Sequence, residues 1–502
     1  MESSLLNPFA KEQLQEGLKK WPKSLQECCN RAGLFKALKE KLADASLVKE
    51  SEELLDTLAR HTEIVQPLLR KPTKVESEGY GQVYFQGSPW ATLNSIPFAL
   101  IILSIYKSYI VPAFGLLLPL MSWILPYIMI RAFWNIPISF HEYSKILWRM
   151  WNGQPLPKTP EDLLRPPPET PKDILTQIRQ MIQNGWTLVT LGQAMYQPIQ
   201  QARHFMRLDK DCLVLGAALL GIQDCGRRLF DIFHNWFPSW FGDWILHCPQ
   251  TARQAFAFSL ESPFWLRHTL RGLGRFEVLY RLAAREDTVA AEFVKSKTPV
   301  YVLKDFGDPA IPFSRRILSS FSLGASSPLH AIVTGPNRGG KSSFLRALHQ
   351  NVLYSHAFGC VFATKGQLSF YTWVADGLTL HDTPGDQSMF EREVAFTSSV
   401  LKKEGGCGIV FYDELFHSTN PPDATRSSKL FCEKLWKKDN CLSIVSSHIY
   451  SLAREAPASH VKPLCLASWR EDDVFRFSYT VQKGVCEVSS VDLLLQQFGI
   501  LV

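Results

Sequence analysis

Apolar positions along this chain change rhythm several times, and each change marks a boundary. Over residues 1–90 they recur at helical spacing, as in GLFKALKEKLADASLVKESEELLDTLARHTEIVQPLL, which predicts amphipathic helices forming a small bundle or a packing arm. Across 91–134 the polar positions nearly vanish. In IPFALIILSIYKSYIVPAFGLLLPLMSWILPYIMI, residues 96–130, Lys107 is the only charge and Pro112, Pro119 and Pro126 interrupt the run. Its 21 uncharged residues from Ile110 to Ile130 are long enough for one transmembrane span. A turn at Pro112–Gly115 would give a hairpin of two short helices instead, and a buried helical pair is the reading without a membrane. Trp90 and Trp134 flank the run, as aromatic residues do at bilayer interfaces. Arg131, Lys145 and Arg149 follow it and place that side in the cytosol. Residues 135–173 read as a linker, ending in the proline-rich NGQPLPKTPEDLLRPPPETPKD. Helical spacing returns over 174–296, in DILTQIRQMIQ and RRLFDIFHNWF. Within 297–502 short apolar runs and helical stretches follow one another, and three of those runs end in residues with chemistry.

The first run is Ile332-Val333, a strand ending at Thr334. It opens into Gly335-Pro336-Asn337-Arg338-Gly339-Gly340-Lys341-Ser342-Ser343 and then into a helical pattern through Phe344, Leu345, Leu348 and Leu353. This fits G-x-x-x-x-G-K-[ST] in its proper context of strand, glycine turn and helix. Such glycines let backbone N–H groups converge on an anion at a helix N-terminus. Lys341 is then expected to reach the β- and γ-phosphates of ATP, and Ser342 to supply an oxygen to Mg²⁺. The second run, GIVFYDEL, delivers Asp413 and Glu414 at the end of a buried strand. Asp413 is expected at Mg²⁺ and Glu414 at the attacking water. The third, CLSIVSSHIYSL, ends at Ser447-His448. His448 is either an ordinary loop residue or a group that reaches the γ-phosphate.

The order of these motifs resembles the ATPase domain of the MutS family, a branch of the ABC-type P-loop ATPases. TGPNRGGKSS is similar to that family's phosphate loop. DTPGDQSMFEREVAF (382–396) resembles its signature segment through Ser388, Phe390 and Glu393, and DELFHSTNPPDA (413–424) its Walker B strand end, with Phe416 and Ser418 in place of glycines. Ser447-His448 resembles the switch histidine, and YTVQKGVCEVSSVDLL (479–494) the terminal strand and helix. Asp308, in FGDPAIP, stands where the family usually has histidine. The match covers roughly 270–502. It implies an α/β P-loop ATPase domain, MutS- or ABC-like, at the C-terminus, preceded by mostly α-helical regions and the transmembrane segment. It also implies a homodimer, or a pair with a related MutS-like subunit, in which Ser388 reaches the partner's nucleotide in trans. Residues 174–296 stand where the family has its core and lever helices. The family's mismatch-reading domain carries a Phe-x-Glu wedge. The first 95 residues here are short, helical and without F-x-E, so mismatch reading is not expected.

Composition narrows the partners only a little. Net charge +7 and a pI near 8.7 suit nucleic acid or anionic lipid without selecting either. Eleven cysteines lack C-x-x-C spacing, no N-x-[ST] acceptor occurs and no signal peptide opens the chain, which together suggest an intracellular protein. WFPSWFGDW (236–244) is a helical core, an interfacial anchor or a base-stacking platform. Arg267, Arg271 and Arg275 either contact phosphate or form a solvated helix face. Two functions are expected. One is a dimeric ATPase that changes conformation on duplex DNA. The other is a membrane-bound mechanical ATPase whose nucleotide site faces the cytosol.

Overall fold

Three strands, His330–Thr334 (β1), Gly408–Tyr412 (β3) and Cys441–Ser446 (β4), are buried at every position. Continuous apolar runs of this kind belong inside a parallel sheet covered on both faces. The computed structural model describes residues 5, 7–151, 154, 156, 174–246, 249–378, 388–471, 474–487, 495 and 498–500. With Trp373–Gly377 (β2), Val461–Glu471 (β5) and Val474–Lys483 (β6), these strands form a six-stranded sheet of order β6-β5-β1-β4-β3-β2. All neighbours pair in parallel except β5 and β6, which form an antiparallel edge.

The sheet belongs to one of two compact units, formed by Met1–Ala59, Leu229–Gly242 and Leu270–Val502. On one face the helix Lys341–Phe358 packs Phe344, Leu345, Leu348 and Val352 against Val333, Phe411 and Ile444. The other face receives the helix Pro421–Leu435, with Phe431 and Leu435 against Val410 and Tyr412. A smaller sheet orders Glu292–Phe293, Lys365–Leu368, Val300–Phe306 and Ser319–Gly324.

The N-terminal helices Pro8–Lys19 and Leu25–Lys41 are part of this same unit. Trp21 Nε1 donates to the carbonyl of Tyr371 at 2.7 Å and its ring stacks on His356. Arg31 Nη1 donates to the carbonyls of His356 (2.7 Å) and Ala357 (3.1 Å), groups that the end of a helix leaves without partners. A Cβ on Gly359, whose φ is +77°, would meet the backbone of Ala32 at 2.4 Å. The aromatic cluster at 236–244 supplies core: Phe237 and Phe241 are buried and stacked at 4.5 Å, and Phe237 stacks on Phe276 at 4.7 Å. Arg271 pairs with Glu12.

The second unit comprises Arg60–Arg228 and Asp243–Thr269. Residues 97–132 are helical throughout, as Pro97–Ile105, a π-turn over Tyr106–Ile110, and Val111–Ala132. Pro112–Gly115 therefore make no turn; Pro112 lies inside this continuous helix directly after the π-turn, where an irregular turn accommodates its missing N–H. Inside the stretch read as linker, Phe140–Trp151 is a helix. Ser139 and Glu142 form a reciprocal cap at its start, a signal that outweighs the neighbouring prolines. Of the proline-rich residues 152–173 only 154 and 156 lie among those described. The long helix Ile174–Phe233 has all but its last turn in this unit. Arg253 holds Asp209 through two bonds of 3.2 and 2.6 Å, and Ser104 Oγ donates to the same carboxylate at 2.9 Å. One helical stretch among the described residues, Pro97–Pro119, is long and apolar enough to cross a membrane, with mean hydropathy 1.8 and 22% of it buried.

Candidate functional site

The chain leaves β1 into the glycine loop, and only glycine fits at its tightest points. A Cβ on Gly339 would lie 3.0 Å from the Pro336 carbonyl, and Gly340 takes φ +95° beside the Tyr479 ring. Gly339 N donates to Pro336 O at 3.1 Å and closes the turn. Arg338 takes a left-handed φ of +66° at the exposed tip. No side chain caps the helix that begins at Lys341, so its first N–H groups face the loop's concavity. Lys341 folds back across that concavity and donates to the carbonyls of Gly335 (2.9 Å) and Pro336 (3.1 Å). Its ammonium is buried, and burial pushes its pKa down against the pull of Glu414 and Asp413.

β4 lies between β1 and β3, so its C-terminal end stands between the loop and the acids. Ser446 there donates to Asp413 Oδ1 and accepts from the backbone N–H of Glu414 at 2.8 Å. One hydroxyl thus fixes both acidic residues. Glu414 has φ +52°, and its carboxylate meets His448 Nε2 at 3.2 Å. That hydrogen bond holds the Glu414 carboxyl below the usual range; burial opposes it, and the charges of His448, Lys341 and His417 add to it.

The turn beyond takes a left-handed backbone at Phe416, one of its two departures from glycine. Phe416 adopts φ +51°, a conformation costing a non-glycine residue about 1–2 kcal/mol. Its ring is buried against Phe390 and Tyr412, which offsets the strain. Ser418 donates to the buried Glu393, and His417 Nδ1 is hydrogen-bonded to the Glu414 carbonyl at 3.0 Å, with Glu393 Oε1 3.1 Å away. Asp308 is held by Arg346 from the loop's own helix and accepts from Ala310 N–H at 2.9 Å. It anchors the FGDPAIP segment to that helix.

Pro336, Asn337, Arg338, Gly340, Lys341, Ser342, Ser343 and Glu414 all line one cavity of about 460 Å³. Gly335 and Gly339 shape its loop, while Asp413 and His448 join through their bonds to Ser446 and Glu414. Ser388 is not part of this wall. It caps the helix Met389–Lys402, accepting from Glu391 N–H at 3.3 Å while Glu391 accepts from Ser388 N–H at 2.8 Å. Residues 382–387 of the signature segment and 488–494 of the terminal one lie outside those described. Two residues went unread in the sequence. Ser446 precedes the Ser447-His448 pair, and Tyr479, at φ +53°, brings its ring to the cavity from β6.

Among the described residues no three His, Cys, Asp or Glu side chains gather to hold a metal. Ser342 and Asp413 offer one hydroxyl and one carboxylate, a set that suits Mg²⁺, which keeps most of its waters and takes phosphate oxygens. The open helix end, the glycine cradle and Lys341 suit a polyphosphate. These features define an α/β domain with one anion-accepting site at the ends of its central strands. Residues 331–494 match the family described as MutS domain V, so the C-terminal part of this chain is MutS-like. Similar proteins include the DNA mismatch repair protein MSH3 of Pyricularia oryzae, 32% identical over 147 residues, 29% of this chain and 12% of that protein. The DNA mismatch repair protein Msh6 of Gallus gallus is 27% identical over 279 residues, 53% of this chain and 20% of that protein. The DNA mismatch repair protein MutS of Caulobacter vibrioides is 31% identical over 183 residues, 34% and 19% respectively. The chain thus matches about a fifth or less of each relative's length.

Proposed function

We propose that this chain binds and hydrolyses ATP with Mg²⁺ at the glycine loop, as a dimer, and uses turnover to change conformation. The observation that carries this reading is the meeting of Lys341 and Glu414 at one cavity, with His448 bonded to Glu414 from the strand end between them. In it, the loop N–H groups and Lys341 hold the β- and γ-phosphates, the ammonium exchanging its loop carbonyls for phosphate oxygens. Ser342 and Asp413 hold the metal, which neutralises phosphate charge when bound. Glu414 accepts the proton of the attacking water, and His448 keeps that carboxylate ionised and aimed. Tyr479 and Ile311 give the cavity apolar walls for the nucleoside. Ser388, on the helix cap, serves the partner's nucleotide.

The mismatch-repair relatives favour DNA as the structure on which this intracellular motion acts. A second reading is favoured by a specific observation: Phe98, Ile102, Phe114 and Leu118 of the apolar helix are each at least 65% exposed. It makes the protein a membrane-bound mechanical ATPase with its site facing the cytosol. DNA retention that falls steeply with salt marks the first reading; pelleting with membranes regardless of salt marks the second. For the site itself, Glu414→Gln should retain ATP without hydrolysing it, whereas Lys341→Ala should lose ATP by filter binding. Equal loss of binding in both variants would remove Glu414 from its role.

A further inference from the structure

The apolar helix cannot be a lone span. Residues 1–59 and 270–502 fold into one unit, joined by Arg31 and Trp21 on the helix and segment beyond the glycine loop. Both must lie on one side of any membrane, so the chain between them crosses an even number of times. The partner for residues 97–132 is visible within the second unit. Ser104 bonds Asp209, and a Cβ on Gly115 would lie 2.8 Å from Pro198. Eleven residues forward along one helix correspond to eleven backward along the other, an antiparallel register without slip. In that register two uncharged stretches run side by side, offset by three residues. Residues 108–130 lie between Lys107 and Arg131, and residues 180–202 between Arg179 and Arg203. Each has 23 residues, about 34 Å of helix against a hydrocarbon core of about 30 Å.

We propose that these two helices form an antiparallel hairpin through a lipid bilayer, with residues 7–59 and 270–487 on the nucleotide side and the helix Phe140–Trp151 on the far side. This rests on the membrane reading and is independent of the chemistry at the glycine loop. Tryptophan and tyrosine stand near both ends of the paired stretch, as at bilayer interfaces, with Tyr196 between them. Tyr106 and Tyr109 mark the near level; Trp123, Tyr127 and Trp186 mark the far one, about 27 Å away along the helix. Phe140–Trp151, an amphipathic helix, meets that far level, where Tyr143 donates to the Trp123 carbonyl at 2.9 Å. Met181 and Trp186 of the second helix are 76% and 71% exposed, and Gln193, Gln197 and Gln200 are exposed on it as well. Thr187 and Thr190 are satisfied by their own helix, donating to Gln183 O at 2.8 Å and Thr187 O at 2.9 Å. Basic residues do not set the direction. Lys107, Arg203, Arg207 and Lys210 stand at the near ends and Arg131, Lys145, Arg149 and Arg179 at the far ends, so the shared unit of the two chain ends decides it.

The test uses full chains translated with sealed microsomes, each bearing an epitope at the N-terminus, between Pro160 and Glu161, or at the C-terminus. With protease added outside intact microsomes, and a separate aliquot extracted with carbonate, the hairpin predicts that both terminal epitopes are digested. The internal one survives until detergent is added. Protection of the N-terminal epitope alone means a single span, and digestion of all three means the tip never crosses; either overturns the hairpin but leaves membrane attachment standing. Recovery of the chain in the carbonate supernatant overturns both.

Discussion

Glu414 shows how far a single residue's role depends on its neighbours. Its carboxyl is held low chiefly by His448, so a base acting there is ionised above that lowered value and is lost as pH falls through it. His448→Ala removes the hydrogen bond and lets the pKa rise, so the acid limb of the turnover–pH profile should move to higher pH. An unmoved limb would mean that His448 does not govern the base. At this scale local spacing in the sequence singled out Lys341, Ser342, Asp413 and Glu414, which the structure places at or beside one cavity. Ser446 was hidden because its importance comes from a bond across two strands. Tyr479 was hidden because only a left-handed backbone brings its ring to Gly340. Phe416 looked like an obstacle in a glycine turn, and packing against Phe390 and Tyr412 reconciles it with that backbone.

Among the elements, the helix Lys341–Phe358 carries the site at its start and is held at its end. Arg31 supplies donors to its last carbonyls and pairs with Glu27 at 2.6 Å. Arg31→Ala should destabilise the unit by about 1.5–3 kcal/mol, the usual worth of hydrogen bonds to a charged group. Thermal unfolding would read this as a lowered Tm with nucleotide affinity little changed. An unaltered Tm would show the contact to be incidental. The helical pattern of residues 1–90 was plain in the sequence, but the surface it packs on was not, since amphipathicity marks a buried face without naming what buries it. The same limit applies to residues 180–202, where Gln and Thr dilute the apolar pattern below any compositional signal of a span.

At the scale of the whole molecule, the cavity wall lacks Ser388 although the resemblance assigns that residue to the nucleotide of a second chain. Ser388→Ala should slow turnover while sparing one-site ATP binding, and mixing it with Lys341→Ala should restore part of the activity. One site of such a mixed dimer keeps both an intact lysine and an intact opposing serine. A loss of thermal stability with normal turnover would instead assign Ser388 only to its helix cap. All these expectations depend on ATP being hydrolysed where Lys341 lies across the glycine loop. The most direct measurement is steady-state ATP turnover by the purified full chain with Mg²⁺, beside Lys341→Ala prepared identically. The account predicts turnover in the first that is abolished in the second; equal turnover in both, or none in the intact chain, would contradict it.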